Sequence, residues 1–254
     1  MADIIASIKA KLNEIEEKER VRIILAVESG SRAWGFASPD SDYDVRFIYV
    51  RRPEDYIRLV QERDVIEWQL DEVYDIDGWD LQKALRLLHD SNPTLHEWCN
   101  SPIVYKENEL AESLRSITEK CFLPKKALFH YLSMAEHTCR DYLTGEEVRL
   151  KKYFYALRPI LAAKWVVDQQ TAPPMLFEEL VAAELEPEMK PIADELLAVK
   201  RETSELGAGP HIPELDAYIK EQCEEIQQAA MRAENQKNDW GELEEYFCKV
   251  VFGA

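Results

Sequence analysis

The sequence predicts an α/β domain with a mixed sheet over residues 1–106, followed by an all-α domain over residues 107–254. Up to about residue 106, short β-branched runs are interleaved with amphipathic helical stretches. Beyond residue 107 the helical pattern is almost continuous, broken only at FLPKK, LTGEE, TAPP and GAGPHIP. A chain of 254 residues has room for two domains of ordinary size.

In order along the chain, residues 3–20 place Ile4, Ile8, Leu12 and Ile15 at helical spacing. VRIILAV (21–27) reads as a buried strand and YDVRFIYV (43–50) as a second, ended by RRPED. VIEWQL (65–70) and EVYDID (72–77) read as two more, the latter with Val73, Asp75 and Asp77 on one face. GWDLQKALRLL then carries the helical stripe Leu81, Ala84, Leu85 and Leu88, stopped at SNP, where Asn92-Pro93 caps the next helix. Thr144 and Glu147 fit a capping box opening the helix that contains KKYFYALRPILAAKW.

A formal net charge of −18 excludes a general coat protein of duplex DNA or RNA, which needs a basic surface. It leaves room for a nucleotide or an RNA end in a local basic cleft. No apolar run approaches the ~20 residues that span a bilayer, and MADIIASIKAKLNEIEEKE lacks a signal-peptide pattern. Five cysteines, an odd number with no C-x-x-C pair, suit reduced thiols and a cytoplasmic location.

The chemistry concentrates in ESGSRAWGFASPDSDYDVRFIYV, residues 28–50. A strand runs into Ser29-Gly30-Ser31, a turn follows, and the next strand opens with Asp42-Tyr43-Asp44. Alternation puts Asp42 and Asp44 on one side. Two such carboxylates repel, and a cation between them relieves the repulsion. Mg²⁺ (or Mn²⁺) prefers carboxylate and phosphate oxygens, so a metal-bound nucleoside triphosphate is the natural partner. Gly30 lets the backbone approach a phosphate, Ser31 adds a hydroxyl, and Arg32 adds a forked cation. A third carboxylate would complete a two-metal site. Asp75 is the best candidate, with Asp77 the alternative.

Other motifs fail on spacing. Gly30 and Gly35 have the gap of a phosphate loop but no Gly-Lys-Ser/Thr follows, and a calcium loop would need glycine where Val45 stands. Gly30-Ser31 lacks the Gly-x-Ser-x-Gly elbow. Asp40 reads as a solvated turn residue, and the histidines and Cys99 make no zinc signature. Trp34, Trp79, Trp98 and Trp165 read as core or interface anchors. Residues 120–164 hold nine Lys or Arg against four acids. There, Lys151, Tyr155 and Arg158 fall at i, i+4 and i+7: either a face for triphosphate and base, or a solvated basic face pairing with acidic helices.

The stretch SGSRAWGFASPDSDYDVRFIYV resembles the Gly-Ser … Asp-x-Asp signature of the polymerase-β nucleotidyltransferase superfamily. More closely, the chain resembles the RNA-ligase-associated polymerase-β-like family (RlaP). The likeness runs through DIDGWDLQKALRLLHDSNPTLHEWCNSPIVY and KKALFHYLSMAEHTCRDYL to KKYFYALRPILAAKW. The resemblance implies a nucleotidyltransferase domain, a nucleoside-triphosphate substrate, Gly30 and Ser31 as phosphate contacts, and Asp42, Asp44 and Asp75 as metal ligands. The expected reaction moves a nucleoside monophosphate to an acceptor hydroxyl, on an RNA end or a small molecule. The alternatives are AMP transfer to a protein hydroxyl, as in toxin–antitoxin modules, or a catalytically silent nucleotide sensor.

Overall fold

The computed structural model describes residues 2–202 and 207–253. The chain divides into two compact units. The first comprises the chain up to Ala33, Asp42–Cys121, and the chain from Lys237 onward; the second comprises Trp34–Ser41 and Phe122–Gln236.

The first unit is built on a five-stranded sheet of β1 (Arg22–Glu28), β2 (Tyr43–Val50), β3 (Val65–Leu70), β4 (Tyr74–Asp80) and β5 (Val104–Glu107), in the order β3-β4-β2-β1-β5. The sheet is mixed, as the sequence leads one to expect: β2 and β4 are parallel and the other pairs antiparallel. One face packs against α1 (Ala2–Glu19), where Ile8, Leu12 and Ile15 meet Ile23, Val45, Phe47, Tyr49 and Ile76. The other face, with Ile24, Val27, Ile48 and Val50, is covered by α4 (Leu81–His89), α5 (Pro93–Cys99), α6 (Ala111–Lys120) and α12 (Gly241–Phe252).

Several boundaries differ from the sequence reading. Asp71 accepts the amides of Val73 and Tyr74, which makes 71–74 a turn and leaves Val73 exposed outside the strand. β4 then continues through Gly78 and Trp79, because Asp80 caps α4 by accepting the Gln82 amide and so fixes the helix start at Leu81. Asn92 caps α5 in the expected way, accepting the Thr94 amide. The first unit also extends past residue 106: α6 lies in it, and Leu243, Tyr246, Val250 and Val251 of α12 bury into its core.

Gly78 sits opposite Phe47 in the β2–β4 register, and a Cβ on it would lie 2.2 Å from the Phe47 ring. The glycine makes room for that ring. Gly78→Ala is therefore expected to destabilise the chain by about 1–3 kcal/mol in urea unfolding, as overpacking does. An unaltered midpoint would show that the ring shifts freely.

The second unit packs α7 (Pro124–Tyr142), α8 (Lys151–Gln169), α9 (Phe177–Glu184), α10 (Lys190–Glu202) and α11 (Pro213–Arg232), together with the short antiparallel pair β6 (Glu147–Arg149) and β7 (Ala208–Pro210). This pair is a departure from an all-α tail. It also removes the expected capping box, since Glu147 is in β6 and the N-cap of α8 is Leu150, with no side-chain cap. Eleven residues of α8 are buried, so it is a central core helix rather than a two-faced one. Phe36, from the 34–41 segment, packs on Phe154 and Phe177 in this core. Among the described residues no helix is long and apolar enough to cross a membrane, and all five cysteines are free thiols.

Candidate active site: a carboxylate cluster at one end of the sheet

β1 ends where β2 and β4 begin, and the Gly-Ser turn sits at that junction. The Ser29 amide donates to the Asp44 carbonyl at 2.8 Å, tying the turn to the start of β2. Gly30 opens the one-turn helix α2 (Gly30–Ala33) at φ +58°, and a Cβ there would lie 2.1 Å from Asp44 Oδ2. Only glycine satisfies both conditions. Gly30 therefore allows the turn to press against a carboxylate, which the sequence alone associates only with phosphate approach.

Asp44 and Asp75 are direct partners in the parallel β2–β4 register, and Arg46 is the partner of Asp77. The strand alternation thus puts Asp44, Arg46, Asp75 and Asp77 on one face. Asp42 lies just before β2 and is exposed; its carbonyl accepts from Arg32 Nε at 2.9 Å. The Arg32 guanidinium also lies 3.8 Å from the centroid of the Tyr43 ring, so it braces the strand entrance. Ser31 is buried.

Arg46 was not singled out by the sequence. Its Nη2 donates to Asp75 Oδ2 at 2.6 Å and to Asp44 Oδ1 at 3.1 Å. Its Nη1 donates to the Asp75 carbonyl at 2.7 Å and pairs with Asp77 Oδ2 at 3.2 Å. One guanidinium thus gathers three carboxylates. Burial pushes the Asp44 carboxyl up to about 6; Arg46 opposes this, and Asp42, Asp75 and Asp77 add to it. Asp77 is raised for the same leading reason, burial. Electrostatically the cluster calls for more positive charge than Arg46 supplies.

The carboxylate oxygens suit a hard divalent cation by donor type. Yet among the described residues no three such side chains are arranged to hold a metal as they stand. The oxygens of Asp44, Asp75 and Asp77 converge on Arg46, and coordination by Asp42, Asp44 and Asp75 would require that guanidinium to yield.

Behind the cluster, Glu28 is fully buried and was also missed by the sequence reading. It accepts the Asp44 amide at 3.0 Å and the Tyr105 hydroxyl. Burial pushes its carboxyl up to about 7, against the effect of those two donors. The folded pKa lies above the unfolded one, so the protonated form stabilises the fold at low pH. That contribution is lost as pH rises from about 4.5 through about 7, and it amounts to roughly 3 kcal/mol. Glu28→Gln is expected to flatten the fall in melting temperature over this interval; a wild-type slope in the variant would assign the fall to other groups.

The remaining expected contacts lie in the second unit. Lys151 and Tyr155 are half-buried on α8. Arg158 is 1% exposed, its guanidinium 4.3 Å from the Trp34 ring centroid and 3.6 Å from Met175 Sδ. The structure does not place Arg158 on a solvent-facing basic surface with Lys151, because α8 is buried on nearly every side.

The chain is 48% identical over 234 residues to YcgL of Bacillus subtilis (strain 168), described as an uncharacterized protein; the match covers 90% of this chain and 89% of the relative. The crystal structure of a nucleotidyltransferase-like protein from Exiguobacterium sibiricum 255-15 aligns over 97% of this chain and 80% of its own, at 12% identity and a TM-score of 0.33, too distant to bear on the fold. Residues 4–249 match one described family throughout, spanning the Gly-Ser turn and all four aspartates. The chain belongs to the RNA repair pathway DNA polymerase beta family.

Proposed function

We propose that this chain is a nucleotidyltransferase that moves a nucleoside monophosphate from a nucleoside triphosphate to an acceptor hydroxyl. The observation that carries the reading is the meeting of Gly30, Asp44 and Asp75: a turn that excludes any Cβ, pressed against one carboxylate whose strand partner is a second. Asp42, Asp44 and Asp75 would hold a divalent cation, which would neutralise the triphosphate and polarise the α-phosphoryl group. The chain's own residues do the rest. Gly30 and Ser31 face the phosphates; Asp75, or Asp77 beside it, accepts the proton of the attacking hydroxyl; and Arg46, which gathers the carboxylates in the unliganded chain, would give way to the cation. The acceptor oxygen forms its bond to the α-phosphorus as the bond to pyrophosphate breaks.

The family's description places it in RNA repair, so an RNA end is the first acceptor class to test, ahead of a small molecule or a protein hydroxyl. One observation favours a silent nucleotide sensor: Arg46 already provides three of the carboxylates with a cation. Pyrophosphate release separates the two readings. With Mg²⁺, each nucleoside triphosphate and an RNA, small-molecule or protein acceptor, a transferase releases pyrophosphate in step with acceptor consumed. A sensor binds nucleotide and releases none.

A further inference from the structure

In the first unit, α4 and α12 do not close completely against each other. Between them lies a cavity of about 390 Å³, lined chiefly by Leu85 and Arg86 of α4 and by Trp240, Leu243, Glu244 and Phe247 along one stripe of α12 and its N-cap. Leu85 and Leu243 are buried and make an apolar floor. The aromatic walls are held in place by the fold itself. Trp240 stacks flat on His89, with ring centroids 3.7 Å apart and planes 5° apart. Asn238 anchors that segment by donating to the carbonyls of His89 at 3.0 Å and Cys121 at 2.8 Å. The Phe247 ring meets Tyr56 edge-on at 5.1 Å, and the Tyr56 hydroxyl donates to Asp80 Oδ2 at 3.0 Å. Trp240 is nevertheless 41% exposed. Arg86 and Glu244, both exposed, carry opposite charges on the same cavity. Neither side chain makes a hydrogen bond or ion pair among the described residues.

We propose that this cavity is a nucleobase site matched to guanine. A preformed apolar cavity of this size, with aromatic walls and a few charged groups, is the usual form of a small-ligand site. Walls of Trp240 and Phe247 suit a flat ring. The charged pair then selects among rings. Guanine offers two acceptors, O6 and N7, to the fork of an arginine, and two parallel donors, N1–H and N2–H, to a carboxylate. Adenine and cytosine each offer a carboxylate one amino group, and uracil one ring N–H. Only guanine gives Arg86 and Glu244 two bonds each. A neutral ring with oppositely polarised edges also fits a pair of zero net charge, whereas an anionic ligand would be repelled by Glu244 as strongly as Arg86 attracts it. The site is separate from the carboxylate cluster, because α4 begins only after β4 has run on past Asp75 and Asp77 to Asp80. It goes beyond the transfer reaction and is testable without it. An RNA strand and a free guanosine nucleotide carry the same base, and the experiment separates them.

The test is equilibrium dialysis of the full chain against labelled guanosine, adenosine, cytidine and uridine in EDTA. Guanosine is expected to bind tightest. Glu244→Gln and Arg86→Gln should each weaken guanosine by about tenfold, the loss of a charge-assisted contact, and leave adenosine within about twofold. Trp240→Ala should weaken guanosine by about tenfold and Trp240→Tyr should restore it, since both rings stack. These side chains are exposed, so the variants should melt near the wild-type temperature. Glu245→Gln, exposed on the same helix outside the cavity, should bind as wild type. A short single-stranded RNA with one central guanine is then compared with guanosine and with an all-adenine RNA of equal length. Tighter binding than guanosine assigns the base to an RNA strand, and weaker binding assigns it to a free nucleoside or nucleotide. Four nucleosides bound alike, no guanosine binding, or guanosine affinity unaltered in both Glu244→Gln and Arg86→Gln would overturn the site. So would a chain that ignores guanosine and forms a dimer that Trp240→Ala dissociates, which would make the cavity a seam between copies. Guanosine binding that depends on Glu244, in a protein that releases no pyrophosphate, would keep the site and refute the transferase. Active transfer without guanosine binding would do the reverse.

Discussion

Asp42→Asn combined with Asp44→Asn is expected to abolish the stabilisation that Mg²⁺ and a nucleoside triphosphate together confer, while leaving the unliganded chain at least as stable as wild type. At a hundredfold excess over Kd that stabilisation is about 2.7 kcal/mol. The second half of the expectation comes from the cluster's own electrostatics. Burial and three neighbouring carboxylates hold the Asp44 carboxyl up at about 6, so its charge is a burden near neutral pH. An amide oxygen in its place still accepts from Arg46. Thermal unfolding with and without ligand measures both halves, and persistent stabilisation in the double variant would remove the metal assignment.

Asp75→Ala is expected to bind nucleoside triphosphate within a few-fold of wild type and to lose transfer by roughly two orders of magnitude or more. Asp75 is the register partner of Asp44, whereas Asp77 stands opposite Arg46, one strand repeat farther along. That placement favours Asp75 as the carboxylate facing the acceptor. Both touch Arg46, so a structural contribution is common to the two and cancels in the comparison. If Asp77→Ala suffers the loss and Asp75→Ala retains transfer, the proton acceptor is Asp77.

The legible parts of this chain are those fixed by local pattern. The runs at 21–27, 43–50 and 65–70, the α4 stripe and the Asn92 cap follow from periodicity and capping chemistry within a few residues. Alternation from Asp44, carried two residues further, would have found Arg46 on the same face, whereas Asp42 lies before the strand and alternation does not place it. Glu28 carried a weaker signal, a single acid closing an otherwise apolar strand. Other features depend on partners far away in the chain. The four-residue β5 is a strand because β1 offers it an edge. β6 and β7 form only by pairing across about sixty residues. α12 joins the first unit because its Leu243, Tyr246, Val250 and Val251 fill a core begun more than two hundred residues earlier. Arg158 was misleading in sequence for the same reason: charge suggests exposure, and only packing reveals its burial against an aromatic ring.

The central claim is that the carboxylate cluster transfers nucleotide, and label transfer tests it most directly. Wild type and Asp44→Asn would be incubated with Mg²⁺ and each α-labelled nucleoside triphosphate, together with RNA and cell lysate, and the label followed into RNA, protein and small molecules. The expected result is label moving to one acceptor class with wild type and to none with Asp44→Asn. Label transferred equally by the two proteins, or by neither to any acceptor, would contradict it.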